Sequence, residues 1–241
     1  VLFLSYPKSG RTWVRFLVDA YLADLHGIPV SNVFEVERRL DSRWRIEWEH
    51  LTGAMIQLLP YDRIREMDLS SLDGRVCVYL SRDPYATLAS AFFQARDRVK
   101  VFQGTPSEFV RSPLFGARKL AAFQSMVEDL KGRFSRFVPL TYEAFRTDPA
   151  AGLRTVLETL GTEVDPERIG NAVRLGAFEN LRRLAWSPEY AGTPIAPVDP
   201  DNPDSEKVRR GGDGGWRELF SEEDMLYIAS VLSSSTALHL R

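Results

Sequence analysis

The sequence predicts an α/β fold in three layers, a central parallel β-sheet flanked by α-helices. Two apolar runs of strand length, Val1–Leu4 and Arg75–Leu80, each pass through a short polar turn into a stretch with helical spacing. A strand that feeds a helix twice in one chain calls for crossover connections, and crossovers make neighbouring strands parallel. With 241 residues, 44% of them hydrophobic, the chain can bury a sizeable core between such layers.

Taken in order, Val1-Leu2-Phe3-Leu4 is a buried strand ended by Ser5-Tyr6-Pro7. From Thr12, the residues Trp13, Phe16, Leu17, Ala20, Tyr21 and Leu25 recur at helical spacing until Gly27 and Pro29 stop them. Ile46 to His50 alternates apolar and polar residues, as a shorter strand does. The strand Arg75–Leu80 leads through Ser81-Arg82-Asp83-Pro84 into a helix holding Leu88, Ala89, Phe92 and Phe93. Phe137–Leu140 is a further strand, ending near Tyr142. Asp148-Pro149 and Asp165-Pro166 each set an N-cap acid before a proline at the first helical position, and Gly161 closes the first of these helices. Ser221-Glu222-Glu223-Asp224 caps a last helix. Between them, Ser187 to Gly215 holds five prolines and five glycines among several acids, a long loop of the kind used as a lid or binding loop. No repeat or linker divides the chain, so one domain over 1–241 is expected.

Charge and cysteine usage narrow the function. Lys and Arg total 31 and Asp and Glu total 33, a balance of −2. A protein tracking nucleic acid or an anionic membrane needs a basic surface, so no nucleic-acid partner is expected and any anion site is local. The single cysteine, Cys77, lies in an apolar strand and reads as a small buried hydrophobe. No apolar stretch reaches the ~18 residues of a membrane span, and the expectation is a cytoplasmic protein. The chain opens inside a strand and without Met, which leaves a trimmed segment, or an anchor, before Val1 open.

Ser5-Tyr6-Pro7-Lys8-Ser9-Gly10-Arg11-Thr12 lies between a strand and a helix, where backbone N–H groups and the positive helix end can cradle a phosphate. Its spacing is that of a P-loop, with Ser5 in place of the first glycine and Arg11 in place of the usual lysine. A nucleoside-triphosphate enzyme also needs an acid at the end of a second strand to help hold Mg²⁺. Asp83 is available for that, so a Mg-dependent P-loop kinase or NTPase is one reading. The first charged residue there is Arg82, however, and a cation suits a nucleotide with an additional phosphate away from its 5′ chain.

These residues resemble the PAPS-dependent sulfotransferases. Tyr6-Pro7-Lys8-Ser9-Gly10-Arg11-Thr12-Trp13 is similar to their 5′-phosphosulfate loop, and Arg82 followed by Ser90 resembles their 3′-phosphate motif. Val208-Arg209-Arg210-Gly211-Gly212-Asp213-Gly214-Gly215-Trp216 resembles their late glycine-rich segment, with Gly215 where an acid is common. The resemblance implies a P-loop NTPase-like fold, PAPS as co-substrate with adenosine 3′,5′-bisphosphate as product, and no metal. It implies that Ser9, Gly10 and Thr12 bind the 5′-phosphate, that Trp13 packs on adenine, and that Lys8 faces the bridging oxygen between sulfate and phosphate. Arg82, Ser90, Arg209, Arg210 and Gly211 would hold the 3′-phosphate, with Ser90 counted also among the catalytic residues. Arg11 either adds charge near the 5′ end or points away. Tyr142 and Phe178 are the adenine contacts by resemblance, or else core aromatics.

Transfer to a hydroxyl requires a group that takes its proton, and histidine suits the task. Of His26, His50 and His239, the first ends a helix and the last lies in the C-terminal tail. His50, upstream of Leu58-Leu59-Pro60, is the candidate base, with Glu47 or Glu49 as alternatives. Phe34, Trp44, Trp48, Phe102, Phe109, Phe115, Trp186 and Tyr190 lie in segments that the resemblance assigns to a small-molecule or carbohydrate acceptor, though several must fill the core. Arg38, Arg39, Arg43 and Arg45 either meet an anionic acceptor or form a solvated face. A nucleotide-binding module without chemistry is the third reading, and no dimer motif is present.

Overall fold

The computed structural model describes residues 1–29, 31–40, 46–51, 59–202, 204, 206 and 215–238. Four strands, β1 (Leu2–Ser5), β2 (Glu47–Glu49), β3 (Val76–Ser81) and β4 (Arg136–Thr141), form one parallel sheet in the order β2-β1-β3-β4. Ser5 of β1 lies beside Leu80 of β3, and Ser81 beside Thr141 of β4. The carboxyl ends of β1, β3 and β4 therefore share one edge of the sheet. The chain leaves β1 for β2 on one side and returns to β3 on the other, so a crevice opens between the β1 and β3 ends, where open α/β sheets bind ligands.

Strand residues alternate faces, and the two faces hold two cores. Leu2, Leu4 and Cys77 face α3 (Pro84–Phe93), α4 (Pro106–Arg111), α5 (Ala117–Lys131) and α11 (Glu222–Leu238). Phe3, Val78 and Leu80 face α1 (Arg11–Leu25), α2 (Val36–Arg39), α7 (Pro149–Leu160), α8 (Pro166–Leu175) and α9 (Phe178–Ala185). The short helices α6 (Tyr142–Thr147) and α10 (Trp216–Leu219) complete the set. Cys77 is buried, and burial pushes its thiol pKa up, which fits a packing role.

The caps expected at Asp148, Asp165, Gly161 and Ser221 form, and Asp83 adds one that the sequence reading did not name. Asp83, Asp148 and Asp165 each accept a backbone N–H at the start of α3, α7 and α8. Gly161 closes α7 at φ 69°. The Asp224 N–H donates to Ser221 Oγ and the Ser221 N–H to Asp224 Oδ2, each at 3.2 Å, so both ends of this capping box are satisfied. The segment with Phe102, Phe109 and Phe115, assigned above to the acceptor or the core, holds α4, whose own capping box joins Thr105 and Glu108. Phe109 and Phe115 are buried in the α3–α5 core as a result, because a helix started at Pro106 turns its apolar face inward.

The first half of the long loop is packed down. Tyr190, Ile195 and Ala196 are buried. Asn32 Nδ2 donates to the Glu189 carbonyl at 3.1 Å, and Arg98 Nη2 donates to the Ala196 carbonyl at 3.0 Å. Among the described residues, no helix is long and apolar enough to cross a membrane.

Candidate active site

The loop from β1 to α1 carries two left-handed residues, Lys8 at φ 73° and Gly10 at φ 98°. Gly10 is the N-cap of α1 and offers no side-chain cap, and the first turn holds no acid. The Val14 N–H makes the first i→i−4 bond, to the Gly10 carbonyl at 3.2 Å, which leaves the Arg11 and Thr12 N–H groups without an intrahelical acceptor. The positive end of a fifteen-residue helix is thus left for an outside anion.

Glycine is required at position 10 by contact as well as by φ. A Cβ there would stand 2.4 Å from Cδ2 of Tyr142. That ring begins α6 at the end of β4, and it also lies 4.5 Å beneath the Arg82 guanidinium. Arg82 Nη1 donates to the Lys8 carbonyl at 2.9 Å, which joins the β1 and β3 ends. Arg82 Nε is buried and has no partner among the described residues. A buried guanidinium N–H with no acceptor is costly, so it fits a site completed by an anionic ligand.

Lys8 Nζ donates to Gln94 Oε1 at 3.1 Å. Gln94 directly follows α3 and opens a π-helical turn over Gln94–Arg98, four residues on from Ser90 and so on the same side of the helix. Sequence reasoning missed Gln94, and its helical spacing from Ser90 was the available signal. Ser90 is half-buried on α3.

His50 follows β2 directly, and Nδ1 lies 2.7 Å from the Ser5 carbonyl oxygen. A carbonyl only accepts, so Nδ1 carries the proton and the basic lone pair belongs to Nε2. Glu47 sits at the other end of β2, paired with Arg75 at 2.7 Å before β3 begins. That ion pair holds the Glu47 carboxyl below its ordinary range and keeps it at the far edge of the sheet. Glu49 lies opposite Leu4. Arg11 turns its guanidinium to β2, where Nη1 donates to the Trp48 carbonyl at 2.9 Å. His26 is exposed at the end of α1.

Trp13 Nε1 donates to the Gly176 carbonyl at 2.9 Å, and its ring meets Tyr142 and Phe145 edge-on. The half-buried Phe178 follows that glycine at the start of α9. Trp13, Tyr142 and the Gly176–Phe178 segment are thereby gathered at one end of the crevice. Arg209, Arg210 and Gly211 lie outside the described residues, as do Trp44, Arg43, Arg45 and His239. Phe34 and Tyr190 are buried in the α1 core, and Trp186 is exposed. Arg38 and Arg39 are exposed, with Arg39 Nη1 donating to the Pro29 carbonyl.

Known proteins resemble this chain in sequence and fold. The sulfotransferase domain family model matches residues 1–236. Rat sulfotransferase 2B1 is 22% identical over 230 residues, covering 92% of this chain and 66% of its own. Rabbit sulfotransferase 1C2 is 24% identical over 239 residues, covering 92% and 77%. Among solved structures, mouse sulfotransferase SULT7A1 complexed with PAP superposes with a TM-score of 0.64 at 18% identity, over 98% of this chain and 82% of that one. Retinol dehydratase in complex with androsterone and PAP gives 0.65 at 18%, over 97% and 79%. With the P-loop-like parallel sheet and the family match spanning nearly its whole length, the chain belongs to the sulfotransferase family.

Proposed function

We propose that the protein transfers a sulfonyl group from PAPS to a hydroxyl or amine of a small-molecule acceptor and releases adenosine 3′,5′-bisphosphate. One observation carries this reading: Lys8 and Arg82, from neighbouring strand ends, are fastened together while Arg82 Nε remains without an acceptor among the described residues. Support comes from relatives named as sulfotransferases and from neighbours solved with PAP, one of them with androsterone.

PAPS supplies the activated sulfonyl group. The N–H groups of Gly10, Arg11 and Thr12, with Ser9 and the Thr12 hydroxyl, hold the 5′-phosphate. Arg82 and Ser90 hold the 3′-phosphate, joined by Arg209, Arg210 and the Gly211 N–H. Trp13, Tyr142 and Phe178 take the adenine. The acceptor oxygen forms its bond to sulfur as the bond from sulfur to the bridging oxygen breaks, and the acceptor proton passes to His50 Nε2. The electron pair of the broken bond stays on the bridging oxygen, where the Lys8 ammonium favours the transition state over the ground state.

Asp83, the residue a magnesium site would need, caps α3, its Oδ1 accepting the Ala86 N–H at 2.8 Å. Calorimetry tests the nucleotide: metal-independent binding of adenosine 3′,5′-bisphosphate is expected, and Mg²⁺-dependent binding of ATP with no 3′-phosphate preference overturns the proposal. His50→Ala is expected to lower turnover ~10²- to 10⁴-fold while bisphosphate binding persists. Near-normal turnover removes His50 from the mechanism.

A further inference from the structure

We propose that the Arg11 side chain is a positioning residue for the base-bearing end of β2 and not a ligand of the phosphates. The inference rests on the reading of His50 as base.

Arg11 opens α1 within the phosphate loop, yet its side chain donates to the Trp48 carbonyl at 2.9 Å. Trp48 is the middle of a three-residue strand that has β1 as its neighbour and lies at the sheet edge among the described residues. So short an edge strand is held weakly by its own ladder. Trp48 is held instead from several sides. Its indole N–H donates to Glu37 Oε1 at 2.5 Å, Glu37 Oε2 accepts from Arg15 Nη2 at 2.6 Å, and its ring lies 4.6 Å from Phe3. Arg11 and Arg15 are one helical turn apart, so a single face of α1 fixes Trp48 at its carbonyl and, through Glu37, at its indole. His50 is two residues further, where its own bond to the Ser5 carbonyl depends on β2 staying in register.

Burial draws the Arg11 guanidinium pKa down to about 10, the negative charge of Glu49 offsets part of that, and Arg15 adds to the lowering. A guanidinium in this setting is committed to the strand it faces. The α1 backbone N–H groups remain for the phosphate, so the loop loses no donor when the side chain turns away. Position 11 thus lets the nucleotide loop and the base share one anchor.

The test compares Arg11→Thr with the wild type in the full chain. Bisphosphate affinity is expected to stay within about twofold, turnover to fall about tenfold, and Arg11→Thr to add nothing further in a His50→Ala background. The His50 ring titration, followed by NMR and assigned with His50→Ala among only three histidines, is expected to move without nucleotide present. A tenfold loss of bisphosphate affinity makes the side chain a phosphate ligand and overturns the proposal, as does an unmoved titration with unchanged turnover. Arg11→Lys, which keeps a cation but not the fork, gives the same readouts where the threonine variant does not fold. Near-normal turnover in His50→Ala alone marks failure of the base reading, separately from the position of β2.

Discussion

Lys8 and Gln94 stand 86 positions apart in the chain, and a 3.1 Å hydrogen bond joins the ammonium of one to the amide oxygen of the other. The bond aims a flexible side chain whose stem emerges from a left-handed backbone. Lys8→Ala is expected to cost ~10²- to 10³-fold in kcat, the scale for one donor to a developing oxyanion. Gln94→Leu, which keeps the volume and removes the acceptor, is expected to lower kcat roughly threefold to tenfold with bisphosphate affinity unchanged. Steady-state kinetics beside calorimetry decides it, and an unchanged kcat shows Gln94 to be idle.

Gly10→Ala meets two obstacles, a positive φ and the Tyr142 ring. A loss of ~1–3 kcal/mol in stability is expected, together with weaker bisphosphate binding. Thermal unfolding checks the first. Adding Tyr142→Ala removes the clash but not the backbone strain, so recovery is expected to be partial.

Lys119 on α5 is buried in the core beside Leu120 and Phe123, and its Nζ has no partner among the described residues. Burial lowers its pKa from 10.5 to about 8. The unfolded chain therefore binds more protons than the folded one between those values, so stability rises as pH increases through that window. Lys119→Met is expected to stabilise by ~1–3 kcal/mol near neutral pH, with the gain shrinking as pH is raised past 8. Urea unfolding of both proteins at several pH values tests it, and a destabilised methionine variant at pH 7 refutes it.

Asp224 ties the start of α11 to α4. Burial opposes its ionisation, but bonds from Arg111, Ser107 and Ser221 outweigh that and hold its carboxyl below the usual value. A depressed folded pKa stabilises above the unfolded value, and that contribution disappears as pH falls through the folded one. Asp224→Asn is expected to cost ~1–3 kcal/mol at pH 7 and progressively less below about pH 4. A difference that stays constant on acidification contradicts this account.

The strands and caps were legible because local chemistry decides them: the pairs Asp83-Pro84, Asp148-Pro149 and Asp165-Pro166 each start a helix, and alternation at Ile46 to His50 is enough to mark a three-residue strand. The turn from β1 into α1 was legible because a glycine before a helical run leaves a short signature, and Gly10 there is left-handed. The helical spacing from Ser90 hinted at Gln94, but the side chain that meets it, Lys8, comes from the loop after β1. Arg11 left two directions open for the same reason, as the Trp48 carbonyl that receives it belongs to a different element. The helix at Pro106–Arg111 was overlooked because its aromatic residues suited a pocket as well as a core, and only the packing on α5 distinguishes the two.

The Tyr142 ring against Gly10 and beneath Arg82 has a bearing on biosynthesis. Synthesis makes the loop from β1 to α1 before the surface that supports it, which arrives with β4, and Trp13 waits for Gly176, 163 positions later. Such long-range closure is slow to form. A chain made only as far as α1 holds the loop sequence but not its support, so the loop takes its final shape only after Tyr142 and Gly176 have docked. Ligand added during refolding acts on that last step and draws the chain toward the finished sheet.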